Sequence, residues 1–178
     1  MGRRENQDPA NFTLAKFREW TDRSRRNLRV ETRDLVQLHC PPTPVFSTDS
    51  VYDALDTLVA DGAIANYGVS VETVDEALAA IARPGTATVQ IILNAFRLKP
   101  LDAVLPAAIA AGVGIIARVP YRVAQLDGVS SVIPGARNVG QAESNAAVGL
   151  ARQLSPEFTA SVVDIYNRYF RAAVHPRW

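Results

Sequence analysis

SSVIPGARNVGQAESN, Ser130 to Asn145, is the stretch from which the rest of the chain is best read. Its apolar, β-branched start, Val132-Ile133, stops at Pro134-Gly135. Asn138 then opens a helical pattern, with Gln141 three residues on, as in a capping box. Strand, tight turn and helix follow one another. This order puts the helix's unpartnered first N–H groups, and the positive end of its dipole, beside the turn. Such a turn suits an anion, and Arg137 just before the cap adds a guanidinium that can bind in bidentate fashion. The same residues also suit an ordinary βα loop with a solvated arginine, so the choice rests on the remaining chain.

A chain of 178 residues suits one domain. With 48% hydrophobic and 21% charged residues it has the material for a sizeable core. A net charge of +1 gives the whole molecule no strong field for nucleic acid. Residues 1–33 do carry nine Lys/Arg against five Asp/Glu. The acidic residues are interspersed, however, and no aromatic platform accompanies the arginines, so a solvated helix face is the expectation. The single Cys40 excludes an internal disulfide framework and a cysteine-based zinc site. No stretch approaches the ~20 apolar residues of a membrane span. The polar start, MGRRENQDPANF, has no apolar core of a secretory signal. A soluble cytoplasmic protein is therefore expected, with no nucleic-acid or membrane partner.

Residues 1–13 read as an irregular N-terminal segment and 14–178 as a single domain. Thr13 caps a helix running to about Leu28, with Leu14, Phe17, Thr21, Ser24 and Leu28 on one face. Asp34–His39 is a strand that Pro41-Pro42 stops. Thr48 or Ser50 caps the next helix, which turns Val51, Leu55, Leu58 and Val59 inward and ends at Gly62. Ile64–Ser70 is the second strand. Thr73 and Glu76 form a capping box for a helix with Val74, Ala77, Leu78 and Ile81 as its apolar stripe. Thr88–Leu93 is a third strand. A helix from about Leu101 to Ala111 buries Val104, Leu105, Ala108 and Ile109, and Ile115–Val119 is a fourth strand. Pro120–Val129 shows no helix of useful length before a fifth strand at Ser130–Pro134. Two helices close the chain. One runs from about Val139 to Gln153; Ser155 caps the other, with Phe158, Val162, Ile165 and Tyr169 on one side. Continuous apolar strands alternating with helices predict an α/β fold with a parallel sheet.

Five stretches, in order and at βα spacing, resemble the aldo-keto reductase family. They are DLVQLHCPP, ALDTLVADGAIANYGVS, TVQIILNAFR, AAGVGIIARVP and SVIPGARNVGQAESNAA. The resemblance implies NADP(H)-linked carbonyl reduction on a (β/α)8 barrel, with these strands as the family's fourth to eighth. A full barrel takes ~250 residues, with a lower limit near ~200. The expected fold is therefore a partial TIM barrel of about five of the eight strands, open rather than closed. Its unpaired edges make self-association possible.

The resemblance also assigns residues. His39 falls at the family's catalytic histidine, which orients or polarises the substrate carbonyl. Ser70 matches a hydroxyl that binds the nicotinamide carboxamide, although Val71 stands where the family usually has asparagine. Gln90 matches a second carboxamide ligand, and Arg118 falls where an aromatic residue or arginine meets the nicotinamide. Gly135, Arg137, Gln141 and Asn145 match the adenosine-side site. There Gly135 admits backbone to the phosphate, Arg137 pairs with the 2′-phosphate, and Gln141 and Asn145 hold the adenine from one helix face. Each also has a plain structural use: a strand-end hydrogen bond, a satisfied core amide, a rim arginine or a helix cap. The family's tyrosine, lysine and aspartate match no position of this chain. Little or no carbonyl reduction is expected from it alone. A non-catalytic NADP-binding or interaction module, or a decayed gene fragment, is the alternative.

Overall fold

The computed structural model describes residues 1–2, 7–118, 123, 125–151 and 154–178. The chain divides into two compact units, Met1–Val89 and Gln90–Trp178.

In the first unit, α1 (Leu14–Leu28) starts as expected, with the Thr13 hydroxyl accepting the Lys16 N–H at 3.4 Å. Arg29 ends it in the left-handed conformation, φ 56°. Arg25 and Arg26 in its last turn suit the negative end of the dipole. Its covered face is Phe17, Trp20 and Thr21, whereas Leu28 lies exposed. The reason is Phe12, a buried residue of the segment expected to be irregular. Its ring packs edge-on against both Phe17 and Trp20 at 6.3 Å, drawing the indole inward.

Strand β1 (Arg33–His39) is followed by α2 (Asp49–Ala60) and β2 (Ile64–Ser70). Helix α3 (Val74–Ile81) and β3 (Thr86–Ile92) come next. Thr48 is the residue before α2, but its hydroxyl donates to the Pro44 carbonyl at 2.8 Å instead of capping. Tyr52 and Ala54 join the inner face of α2, and Val59 leaves it. The capping box of α3 is present in full. Its Glu76 Oε2 accepts the N–H groups of both Glu72 and Thr73, at 3.0 and 3.2 Å.

Strands β1 and β2 pair in parallel, with Val36 beside Tyr67 and His39 beside Ser70. Gly68 is a close-approach position: a Cβ there would lie 2.1 Å from the Thr88 hydroxyl. Without one, the Gln37 amide on β1 donates to that hydroxyl at 3.2 Å.

In the second unit, α4 (Val104–Ala111) begins three residues later than expected, after a 3-10 turn at Lys99–Leu101. Val104, Leu105 and Ala108 are buried, but Ile109 faces out. Strands β4 (Gly114–Arg118) and β5 (Val129–Ile133) pair in parallel. Val119 and much of the expected irregular join lie outside the described residues. The described part of the join makes two successive turns, from Leu126 N–H to Val123 and from Val129 N–H to Leu126, both at 3.1 Å.

Helix α5 (Val139–Ala147) stops well short of Gln153 and passes into a 3-10 turn at Val148–Leu150. Helix α6 (Pro156–Tyr169) carries the expected Ser155 cap. Its one deeply buried residue is Tyr166, whereas Phe158, Ile165 and Tyr169 are substantially exposed. The chain's last residues account for this. After the short α7 (Arg171–Val174), the His175 Nδ1 lies 3.2 Å from the Tyr166 hydroxyl. Arg171 bridges to Asp102 at 3.1 Å, and the Arg97 guanidinium stacks 3.4 Å from the Trp178 ring.

The five parallel strands form one open sheet in chain order, alternating with helices, as the α/β reading predicts. Among the described residues no helix is long and apolar enough to cross a membrane.

Candidate functional site

His39 and Ser70 are the last residues of β1 and β2 and are register partners. The C-terminal ends of parallel strands are where α/β folds gather functional groups, because the loops that follow start there. Ser70 is 1% exposed. The chain turns sharply after His39, with Cys40 at φ 43°, and the Cys40 N–H donates to the Ser70 carbonyl at 2.9 Å. That turn brings the Cys40 Sγ to 3.5 Å from both the Ser70 hydroxyl and Glu72 Oε1. Neither Cys40 nor Glu72 was singled out by sequence. Their proximity depends on the β1–β2 register, which no local pattern announces.

Val71 is fully buried, so the side chain following Ser70 belongs to the core. Beyond it, Glu76 fixes the loop from below. One carboxylate oxygen holds the two main-chain N–H groups already described, and the other accepts the Thr43 hydroxyl at 3.0 Å.

In the second unit, Gln90 lies in the C-terminal half of β3 and is half-buried between buried Val89 and Ile91. Arg118 ends β4 and pairs in register with Ile133, which ends β5.

Gly135, Arg137, Gln141 and Asn145 form one hydrogen-bonded assembly. Asn138 Oδ1 accepts the Gln141 N–H at 2.9 Å, as an N-cap should. Gln141 Oε1 reaches past the cap to accept the Arg137 N–H at 2.7 Å. The expected capping box is thus displaced by one residue. Asn145 Nδ2 donates to the Gly135 carbonyl at 3.1 Å. Two side chains, one turn apart on α5, therefore tie down the loop that precedes it. The loop is exposed, and a Cβ on Gly135 would meet nothing within 4 Å. Helix geometry leaves the Val139 and Gly140 N–H groups without intrahelical acceptors. Arg137 and these two donors give the loop the chemistry of an anion site.

A sequence model of the aldo/keto reductase family matches residues 4–122. Solved structures of aldo-keto reductases share the fold. The holo form of one from Bacillus halodurans aligns at TM-score 0.76 with 19% identity, covering 89% of this chain and 66% of that one. One from Klebsiella pneumoniae, in complex with NADP and acetate, aligns at 0.71 with 21% identity over 89% of this chain and 67% of its own. Aldose reductase from Giardia lamblia aligns at 0.69 with 16% identity, covering 89% and 69%. The chain spans about two thirds of the length of these relatives. No curated protein matches it in sequence.

Proposed function

The chain belongs to the aldo/keto reductase family, and on that premise we propose that it binds NADP(H) and serves reduction of small aldehydes or ketones. The observation that carries this reading is the tied loop from Gly135 to Asn145. Its donor set fits a phosphate monoester: one exposed guanidinium and two helix N–H groups, on a surface left open at Gly135. The amides fit an adenine as well. With Oε1 committed to Arg137, Gln141 keeps Nε2 as a donor, suited to a ring nitrogen. With Nδ2 committed to Gly135, Asn145 keeps Oδ1 as an acceptor, suited to the exocyclic amine.

At the other end of the cofactor, the family resemblance assigns Ser70 and Gln90 to the carboxamide and Arg118 to the nicotinamide face. Valine at position 71, where the family usually has asparagine, leaves out the neighbouring side-chain amide. When bound, the cofactor supplies the hydride. His39 would orient or polarise the substrate carbonyl. No residue of this chain matches the family's proton-donating tyrosine or the lysine and aspartate that support it, so we place it as a cofactor-binding part with little turnover of its own.

Two titrations test the reading. NADPH should bind the wild type and bind Arg137→Ala about 10- to 150-fold more weakly, from the ~1.5–3 kcal/mol of a charge-assisted contact. NADH should differ little between the two proteins, and equal losses for both nucleotides would remove Arg137 from the 2′-phosphate. An assay of NADPH oxidation over a panel of aldehydes tests the turnover claim. Robust activity that disappears in His39→Ala would refute it.

A further inference from the structure

Cys40 turns the chain after His39 at φ 43°, in the left-handed region that few side chains other than glycine's neighbours in size adopt readily. The turn is fixed from both sides. The Cys40 N–H donates to the Ser70 carbonyl at 2.9 Å, and the Glu72 N–H donates to Glu76 Oε2 at 3.0 Å. Between these anchors the Cys40 Sγ lies 3.5 Å from the Ser70 hydroxyl and 3.5 Å from Glu72 Oε1. Ser70 is buried and Glu72 exposed, so the thiol links the end of β2 to a surface carboxylate.

Proton counting gives both contacts a direction. The thiol has one hydrogen, the serine hydroxyl has one, and a carboxylate only accepts. A thiol hydrogen given to Ser70 would leave Sγ facing Glu72 Oε1 with no proton between them. The thiol hydrogen therefore goes to Glu72, the charged and stronger acceptor. Sγ is then an acceptor, and the Ser70 hydroxyl turns its own hydrogen toward it. To a ligand, Ser70 Oγ presents lone pairs rather than its hydrogen.

We infer, on the NADP(H) reading above, that Cys40 is a positioning residue for the cofactor. Held by Glu72, it keeps the Ser70 hydroxyl an acceptor, and Ser70 then takes the NH2 group of the nicotinamide carboxamide rather than its carbonyl. A carboxamide carries both a donor and an acceptor, so it can meet a serine either way round. Valine at position 71 brings no side-chain amide to that choice. The polarity of Ser70 therefore acts as a specificity element: it favours a cofactor whose ring substituent carries N–H donors. A thiol forms weaker hydrogen bonds than a hydroxyl, so the preference amounts to several-fold in affinity.

Two reduced cofactor analogues test this. The acetylpyridine analogue of NADPH keeps a carbonyl and lacks the NH2 group. The thionicotinamide analogue keeps NH2 and weakens the acceptor. Both are titrated beside NADPH against the wild type, Cys40→Ala, Cys40→Ser and Ser70→Ala, with thermal melting as the fold control. The preference for NADPH over the acetylpyridine analogue should fall about three- to tenfold in Ser70→Ala, which loses the acceptor. It should fall similarly in Cys40→Ala, where the Ser70 hydroxyl is free to turn and donate to the carbonyl. Cys40→Ser should restore it, because a hydroxyl there again donates to Glu72 and accepts from Ser70. The preference for NADPH over the thionicotinamide analogue should change less than about twofold in all four proteins. An unchanged acetylpyridine preference in Cys40→Ala or in Ser70→Ala, with NADPH still bound, overturns the inference and leaves the NADP(H) reading standing. Equal weakening of all three nucleotides by Cys40→Ala overturns it too, since that is a structural effect. Absence of NADPH binding to the wild type overturns both.

Discussion

Replacing Gln141 with glutamate probes the tied loop from two directions at once. The carboxylate keeps an acceptor at the position of Oε1, which now holds the Arg137 N–H at 2.7 Å. It also puts a negative charge in the first turn of α5, where the dipole stabilises it by ~0.3–1 kcal/mol. The free protein should therefore be as stable as the wild type or slightly more so. A 2′-phosphate held by Arg137 would meet that charge. For two negative charges on the phosphate, about 6 Å away in a near-aqueous dielectric, the repulsion is roughly 1.4 kcal/mol, or about tenfold in affinity. NADH carries no 2′-phosphate and escapes this repulsion, whereas the loss of the Gln141 Nε2 donor falls on both nucleotides alike. Calorimetric titration of both nucleotides at low and high salt reads the effect, with thermal melting as the control. Gln141→Glu should weaken NADPH about tenfold more than it weakens NADH, and this gap should shrink at high salt. If NADPH binding is unchanged while NADPH still binds the wild type, the phosphate does not sit at this loop and the assignment of Arg137 falls with it.

Further outcomes follow from the packing. A Cβ at Gly85 would lie 1.9 Å from the Tyr67 hydroxyl, which donates to Asp56 at 2.8 Å. Gly85→Ala should cost ~3 kcal/mol or more in chemical denaturation, and distinctly less in a Tyr67→Phe background, because the hydroxyl it displaces is gone. Thr73→Ala removes the cap of α3 and should cost ~1 kcal/mol by the same measurement; no loss would mean that Glu76 alone holds the helix start. Burial, and then the nearby Arg171, push the His175 pKa below its ordinary value, with Asp102 opposing and Lys99 adding to the fall. The undocked segment then takes up a proton more readily than the docked one. Docking of residues 171–178 should weaken as pH falls through the ordinary histidine range near ~6.5. Intrinsic-rate-corrected hydrogen exchange of that segment should accelerate in acid, and His175→Gln should abolish the pH dependence.

What the sequence made legible is what neighbouring residues settle among themselves. Thr13, Thr73, Asn138 and Ser155 all cap where their spacing to the next apolar stripe says they should. The second strand has its expected bounds because Gly62 and the Thr73 cap fence it on both sides. Inner helix faces were less legible. A stripe at three- and four-residue spacing leaves two adjacent choices. Phe12 decides for Trp20 in α1, and the turn that brings back His175 decides for Tyr166 in α6. Both deciding residues lie outside the helix they orient, so no periodicity within the helix reveals them.

The candidate site divides along the same line. That Gln141 and Asn145 share a helix face follows from their four-residue spacing. That each spends one half of its amide on the loop and keeps the other half free does not, because it depends on where the loop's carbonyl and N–H groups fall in space. This division of labour changes how substitutions there should be read. An alanine at either position removes a tether and a candidate adenine contact together, so a loss of affinity cannot be assigned to one of them. Gln141→Glu keeps the acceptor that tethers Arg137 and removes the free donor. Asn145→Asp keeps an acceptor and removes the donor that ties Gly135. The first change should therefore act on nucleotide recognition with the loop still held. The second should free the loop while leaving an acceptor for the adenine amine. If NADPH affinity falls with Asn145→Asp as steeply as with Gln141→Glu, while NADH follows it only in the aspartate variant, loop order itself is the larger part of the site.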